Sequence, residues 1–206
     1  SPERLKTEMF LERFKKMKVS LVAIDEAHCI SQWGYDFRPP YLEIHKLRDI
    51  KPDVGFIALT ATATREVKQD IMDKLGLRSP LVFQKSFTRD NLAFVVRKTE
   101  DKERKLVEVL RNVPGTAVVY MRSRKATVDI ARYLEQQGIS STYYHAGLSH
   151  SDRMGRQEAW ISNQKRVMVA TNAFGMGIDK ADVRVVVHLD LPENLEAYYQ
   201  EAGRAG

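Results

Sequence analysis

An α/β fold in two lobes, each a parallel sheet flanked by helices, is what this sequence predicts, and three observations predict it. Short continuous apolar runs, VSLVAI at 19–24 and GFIAL at 55–59, have the length of strands buried on both faces rather than of an amphipathic helix. Beyond residue 92 such runs alternate with helical patterns, the β–α order of a parallel sheet with crossover helices. Between the two sets lies SFTRDN at 86–91, polar enough to join two lobes, which puts the first at 1–87 and the second at 88–206.

In chain order, SPERL leads into a helical pattern at Met9, Phe10, Phe14 and Met17. The strand at 19–24 ends on Asp25 and Glu26. Behind Pro40, residues 41–50 carry Leu42, Ile44 and Leu47 and predict a short helix. The strand at 55–59 exits into Thr60-Ala61-Thr62-Ala63-Thr64, ahead of a helix at 65–75 whose Val67, Ile71 and Leu75 repeat every four residues. A strand at 81–84 ends the first lobe. The second is expected to run strand 92–97, helix 102–112, strand 116–120, helix 125–137 stopped by Gly138, strand 140–144, helix 151–161, and strands 166–170 and 184–188. A final helix from Glu193 carries Gln200 and Glu201 and ends near Gly203.

Composition narrows the function classes. Hydrophobic residues make up 43% and charged ones 29% of 206, with no apolar run long enough to cross a bilayer and no secretory signal at the start, so a soluble protein is expected. Cys29 is the only cysteine, which excludes an internal disulfide and a cysteine-based zinc site and points to a reducing, intracellular compartment, with Cys29 itself packed. The net charge of +6 favours an anionic partner, although a basic protein need not bind nucleic acid.

Ligands of open α/β sheets bind beyond the carboxyl ends of the strands. Asp25 with Glu26, Thr60, Ser123 with Arg124, His145 and Thr171 all follow strand ends, so each lobe gathers its polar groups on one rim. The acid pair sits where a metal-bound phosphate would be held. Trp33, Tyr35, Phe37 and Arg38 lie in a segment broken by Ser31 and Gly34 and stopped by Pro39-Pro40, a loop whose rings and cation suit stacked bases and phosphates. Thr60 and Thr62 fit either a joint that switches hydrogen-bond partners or a plain capping series. Any single Ser or Thr of the set could equally cap a helix or form a turn. Gly175 and Gly177 let backbone approach a ligand or simply make a tight turn, and Asp179 can accept hydrogen bonds from a ribose or orient an arginine.

The stretch DEAHCISQWGYDFRP closely resembles the Walker B segment and aromatic-rich loop of the RecQ family of ATP-dependent DNA helicases, in superfamily 2. SPERL, ALTATAT, VVYMRSR, YYHAGL, VATNAFGMGIDKADVRVVVH and QEAGRAG resemble further motifs of that family in their helicase order, so the resemblance runs from Ser1 to Gly206. The departures are Tyr35 where histidine is usual, Met121 where cysteine is common, Ala181 where proline is common and Ala202 where serine or threonine is usual.

The resemblance implies two RecA-like lobes, the first truncated at its N-terminus, with ATP and Mg2+ as cofactors and single-stranded and partly duplex DNA as partner, unwound 3′ to 5′ in repair and recombination. It implies that Asp25 holds magnesium through water, Glu26 orients or deprotonates the attacking water, and His28 couples the nucleotide site to Thr60 and Thr62. Without that resemblance, His28 is a satisfied structural histidine. Gln200 and Arg204 would act in catalysis, with Gly177, Asp179 and Arg204 at the nucleotide. Trp33, Phe37 and Arg38 would sense single strand, and Ser123, Arg124, His145 and Thr171 would contact its phosphates. No Gly-Lys pair of a phosphate-cradling loop occurs in the sequence. The family places that loop upstream of Ser1 and a further arginine after Gly206, so these residues alone are expected not to hydrolyse ATP. A bacterial source would imply the cytoplasm and a eukaryotic one the nucleus. Two alternatives stay open: a catalytically inactive nucleic-acid clamp with the same lobes, and a DEAH-type RNA helicase, which SQWGYDFRP does not resemble.

Overall fold

The computed structural model describes every residue of the chain except Tyr35, Phe87, Met176, Gly177, Asp179 and Gly206. The chain divides into two compact units, Ser1–Lys85 and Ser86–Gly206.

In the first unit a short 3-10 turn, Pro2–Lys6, precedes α1 (Glu8–Lys16), β1 (Leu21–Ile24), a 3-10 helix Ala27–Ile30, a second one Pro39–His45 that runs on into α2 (Lys46–Ile50), β2 (Gly55–Ala58) and α3 (Arg65–Lys74). β1 and β2 pair in parallel, Leu21 opposite Gly55 and Ile24 opposite Ala58. Because strand side chains alternate, Val22, Ile24, Phe56 and Ala58 turn towards a core of Leu5, Phe14, Ile30, Ile44, Val67, Ile71 and Leu75. Leu21, Ala23 and Ile57 point the other way and are exposed. The expectation that β1 is buried on both faces therefore fails: the core of this unit covers one. The single helix expected over 41–50 is likewise replaced, since the fixed φ of Pro39 and Pro40 starts a tighter 3-10 turn and only its last five residues widen to α.

The second unit contains α4 (Lys102–Asn112), β3 (Thr116–Tyr120), α5 (Arg124–Gln136), β4 (Ser141–Tyr144), α6 (His150–Ile161), β5 (Val167–Ala170), β6 (Val183–His188) and α7 (Leu195–Ala202). Its four strands are all parallel, in the order β4-β5-β3-β6. Both faces of the central strands are covered: Val119, Val167 and Val169 pack with Leu106, Leu110, Ile130 and Leu134, while Val118 and Met168 pack with Trp160 and Phe174 on the other side. The strands expected at 81–84 and 92–97 do not form. Leu81, Phe83 and Val96 are 85%, 92% and 97% exposed, and no ladder reaches either segment among the described residues. Strand propensity needs a cross-strand neighbour to act through. No described helix is long and apolar enough to cross a membrane.

Candidate functional site

Parallel strands put all their carboxyl ends on one rim. In the first unit that rim holds Asp25 and Glu26 beyond β1 and Thr60 beyond β2, locked together by Leu59 N–H donating to Ile24 O at 2.8 Å and Ala27 N–H donating to Leu59 O at 2.9 Å. Glu26 adopts the left-handed conformation, φ 49°, which a non-glycine residue occupies at a cost of order 1–3 kcal/mol and which clusters at functional sites. The turn it makes is closed by its own N–H, which donates to Asp25 Oδ1 at 2.9 Å. Tyr41 OH donates to Asp25 O at 3.2 Å from behind.

His28 is 1% exposed. Its Nδ1 lies 3.0 Å from Thr60 Oγ1 and 3.4 Å from Glu26 Oε2. Burial pushes its pKa below the usual histidine value, against the pull of Asp36 and Asp25, so the ring is neutral at pH 7 and bridges acid and threonine as a hydrogen-bonding group. Thr60 Oγ1 also accepts from Thr62 N–H at 3.4 Å, while the buried Thr62 Oγ1 has no partner among the described residues. Asp25 is exposed, a hard carboxylate of the kind that can hold a magnesium ion through its waters.

The aromatic loop begins where the 3-10 helix Ala27–Ile30 ends and closes where Arg38 N–H donates to Cys29 O at 2.8 Å. Trp33 is 77% exposed, Phe37 is half-buried, and Tyr35 lies outside the described residues. A Cβ on Gly34 would stand 2.6 Å from His28 O, so the tight return of the loop over the DEAH turn requires glycine there. Arg38 is engaged: its Nη2 is 2.5 Å from Glu3 Oε1 and its guanidinium lies over the Tyr41 ring. Cys29 is packed as expected, with burial and the neighbouring Asp36 pushing its thiol pKa up to about 12.

In the second unit the rim carries Ser123, His145 and Thr171 beyond β3, β4 and β5. Ser123 is the N-cap of α5, its hydroxyl accepting from Ala126 N–H. Thr171 is buried and its hydroxyl accepts from Ala173 N–H at 3.4 Å, so a turn already uses it. His145 stacks on Tyr143, with ring centroids 5.9 Å apart, and its pKa is lowered by partial burial and by Arg124 and Arg156. Arg156, which sequence patterning does not single out, lies 3.7 Å over the Tyr143 ring and donates to Thr142 Oγ1. Among the described residues neither Arg124 nor Arg156, the two cations that act on His145, forms an ion pair with a carboxylate.

Arg204, expected at the nucleotide, lies just after α7. Its Nη1 donates to Ile178 O at 3.1 Å, and a Cβ on Gly175 would stand 2.5 Å from its Nη2, so the guanidinium is seated within its own unit against the backbone of the loop after β5. Gln200 is on α7, which Glu201 ties to β6 through His188 Nε2 at 2.9 Å. Gly177 and Asp179 lie outside the described residues.

Two α/β units with parallel sheets flanked by helices, one bearing an acid pair at a strand end, define a RecA-like two-lobe core. Residues 1–70 match the DEAD/DEAH box helicase family and residues 101–206 the helicase conserved C-terminal domain. The whole chain is 46% identical to the ATP-dependent DNA helicase RecQ of Pasteurella multocida and 45% identical to that of Bacillus subtilis, covering 33% and 35% of those proteins. The chain belongs to the RecQ-type helicases of superfamily 2, and spans about a third of the length of these relatives. Among solved structures, the fold is shared with Saccharomyces cerevisiae Dbp5 bound to RNA and ADP BeF3, at TM-score 0.74 and 20% identity over 96% of this chain and 54% of that one. It is shared too with Mycobacterium smegmatis helicase Lhr bound to single-stranded DNA and AMP-PNP, at TM-score 0.73 and 19% identity over 99% of this chain and 28% of that one.

Proposed function

We propose that this chain is the coupling part of an ATP-dependent 3′-to-5′ DNA helicase that unwinds duplex DNA in repair and recombination. One observation carries the reading: the acid pair and the exposed Trp33 stand at the two ends of one short segment, so whatever orders the ring moves the backbone that aims the acids. In this reading Asp25 holds magnesium through water, and the ion when bound offsets the charge of the β- and γ-phosphates. Glu26 orients or deprotonates the attacking water. His28, neutral, relays between Glu26 and Thr60, with Thr62 one step further. Trp33 stacks on a base, flanked by Phe37, and Arg38 exchanges Glu3 for a phosphate. Ser123, Arg124, His145 and Thr171 track the strand backbone. Gln200 and Arg204, with Gly177 and Asp179, shape the nucleotide side of the second lobe.

The relatives' names state ATP-dependent DNA helicases, and the DFRP-bearing loop favours DNA over RNA. Because the 206 residues contain no Gly-Lys pair, they turn over no ATP unaided. The test is a titration of the chain with oligo-dT and oligo-U. Trp160 is fully buried, so a fluorescence change reports Trp33. The expected result is quenching by oligo-dT that weakens steeply with salt and disappears in Trp33→Ala. No quenching by oligo-dT sinks the single-strand reading, and stronger binding of oligo-U replaces DNA with RNA.

A further inference from the structure

The aromatic loop has a second anchor, on α3. Ser31, the first residue after the 3-10 helix, is fully buried, and its hydroxyl spends its one proton on Asp70 Oδ2, 2.6 Å away on α3. That commitment fixes where the oxygen lone pairs point, and one of them accepts the N–H of Trp33 at 3.1 Å. Lys74, one turn along α3, donates to the same Asp70 oxygen at 2.8 Å and reaches Ile30 O at 3.4 Å. Asp70 ahead of Lys74 at i,i+4 is the favourable order on a helix. Lys74 first and Ser31 second hold the Asp70 carboxyl below the usual range, so it is an anion at any working pH.

A helix needs no such device to pack here. Val67, Ile71 and Leu75 already bury α3 in the core. The polar chain from Lys74 to Asp70 to Ser31 ends instead on the backbone amide of Trp33, whose side chain has no stacking partner among the described residues. α3 is capped by Thr64, two residues after Thr62, so the same helix follows the threonine series and meets the loop.

We propose that Asp70 is a positioning residue which, through the Ser31 hydroxyl, fixes the backbone at Trp33 and holds the aromatic loop ready for unpaired polynucleotide. This rests on the single-strand reading of the loop given above. Without the carboxylate, the buried hydroxyl turns to another acceptor and the Trp33 amide loses its own.

Two readouts on the 206-residue chain separate the hold from the reading beneath it. Amide hydrogen exchange at 33–34 reports the hold with no DNA present. Asp70→Ala and Ser31→Ala are expected to speed it at least tenfold while leaving β1 and β2 unchanged, and Asp70→Asn, which keeps an acceptor, to restore most of the protection. Oligo-dT affinity by Trp33 fluorescence is expected to fall three- to tenfold in the two alanine variants and recover in Asp70→Asn. Unchanged exchange in both alanine variants overturns the proposal, as does faster exchange with unaltered oligo-dT affinity. Should the unsubstituted chain ignore oligo-dT, the single-strand reading falls, and the exchange result alone decides whether Asp70 holds the loop.

Discussion

The two units follow the same strand-then-helix plan but invest it differently. In the second, every residue of β3 and β5 is buried, and α4, α5, α6 and α7 each start on a side-chain cap, from Asp101, Ser123, Ser149 and Asn194. In the first, alternate residues of β1 and β2 are exposed and the rest mostly half-buried, and only α3 of its three α-helices begins on a side-chain cap. Yet the first holds the left-handed Glu26, the neutral His28 and the exposed Trp33. Strained and mobile parts of a protein come from its less stable regions, and here the reactive geometry sits on the thinner scaffold while the thicker one presents fixed charge.

The largest expected effect tests the thicker scaffold. Trp160 is fully buried, its Nε1–H donates to Ala117 O at 3.2 Å, and its ring meets Phe174 edge-on at 5.3 Å. Trp160→Ala should cost about 3–5 kcal/mol, lowering the urea midpoint of the second unit, followed by hydrogen exchange of β3 and β5, with the exchange of β1 and β2 unmoved. In the unsubstituted chain β1 and β2 amides should exchange first. If β3 and β5 exchange first, the ranking of the two units is inverted.

Much of this contrast was legible in the sequence, for reasons that also explain what was not. Helix 102–112 and strand 116–120 match their observed bounds because a capped amphipathic helix and a five-residue apolar run are local signals. Segments 81–84 and 92–97 have the same apolar content, but a strand exists only with a partner, and partnership is not local. The acid pair and Thr60 could be placed because strand ends in a parallel sheet share a rim, whereas His28 was linked to Thr60 only by the resemblance of DEAH and ALTATAT to family motifs. Arg156 over Tyr143, Glu3 on Arg38 and Asp70 under Ser31 could not, since each joins residues whose spacing carries no period. The contact of Arg204 with Ile178 O has no sequence signal, because its acceptor is a backbone carbonyl, to which the identity of Ile178 gives no clue.

A smaller effect sharpens the comparison through pH. The folded-state pKa of His28 lies below the free value of 6.5, so in the window beneath 6.5 the unfolded chain binds a proton that the folded one refuses. Stability is therefore whole above pH 6.5 and declines as pH falls towards the folded pKa, by at most about 1.4 kcal/mol per pH unit for one proton. His145 is shifted the same way, but it is half-exposed and solvent screens it. Urea unfolding at pH 7.5 and 5.5 should show the first unit losing more, and His28→Gln should flatten that loss where His145→Gln hardly alters it. A pH response confined to the second unit would contradict the burial argument.

The smallest effect lies in the caps. Ser149 accepts Asp152 N–H at 3.1 Å and donates to Asp152 Oδ2 at 2.7 Å, a reciprocal arrangement at the start of α6. Thr64 accepts Val67 N–H at a longer 3.4 Å. N-cap losses run from about 0.5 to 2 kcal/mol, so Ser149→Ala should fall near or above the middle of that range and Thr64→Ala at its lower end, both measured by urea denaturation. The logic is that α3 is held chiefly by Val67, Ile71 and Leu75 and by its tie to Ser31, whereas α6 buries little besides Trp160 and depends more on its first turn. If Thr64→Ala proves the costlier, the threonine series is clamping α3 rather than leaving it free to answer Thr60, and the proposed joint between nucleotide and loop is stiffer than the geometry of His28 suggests.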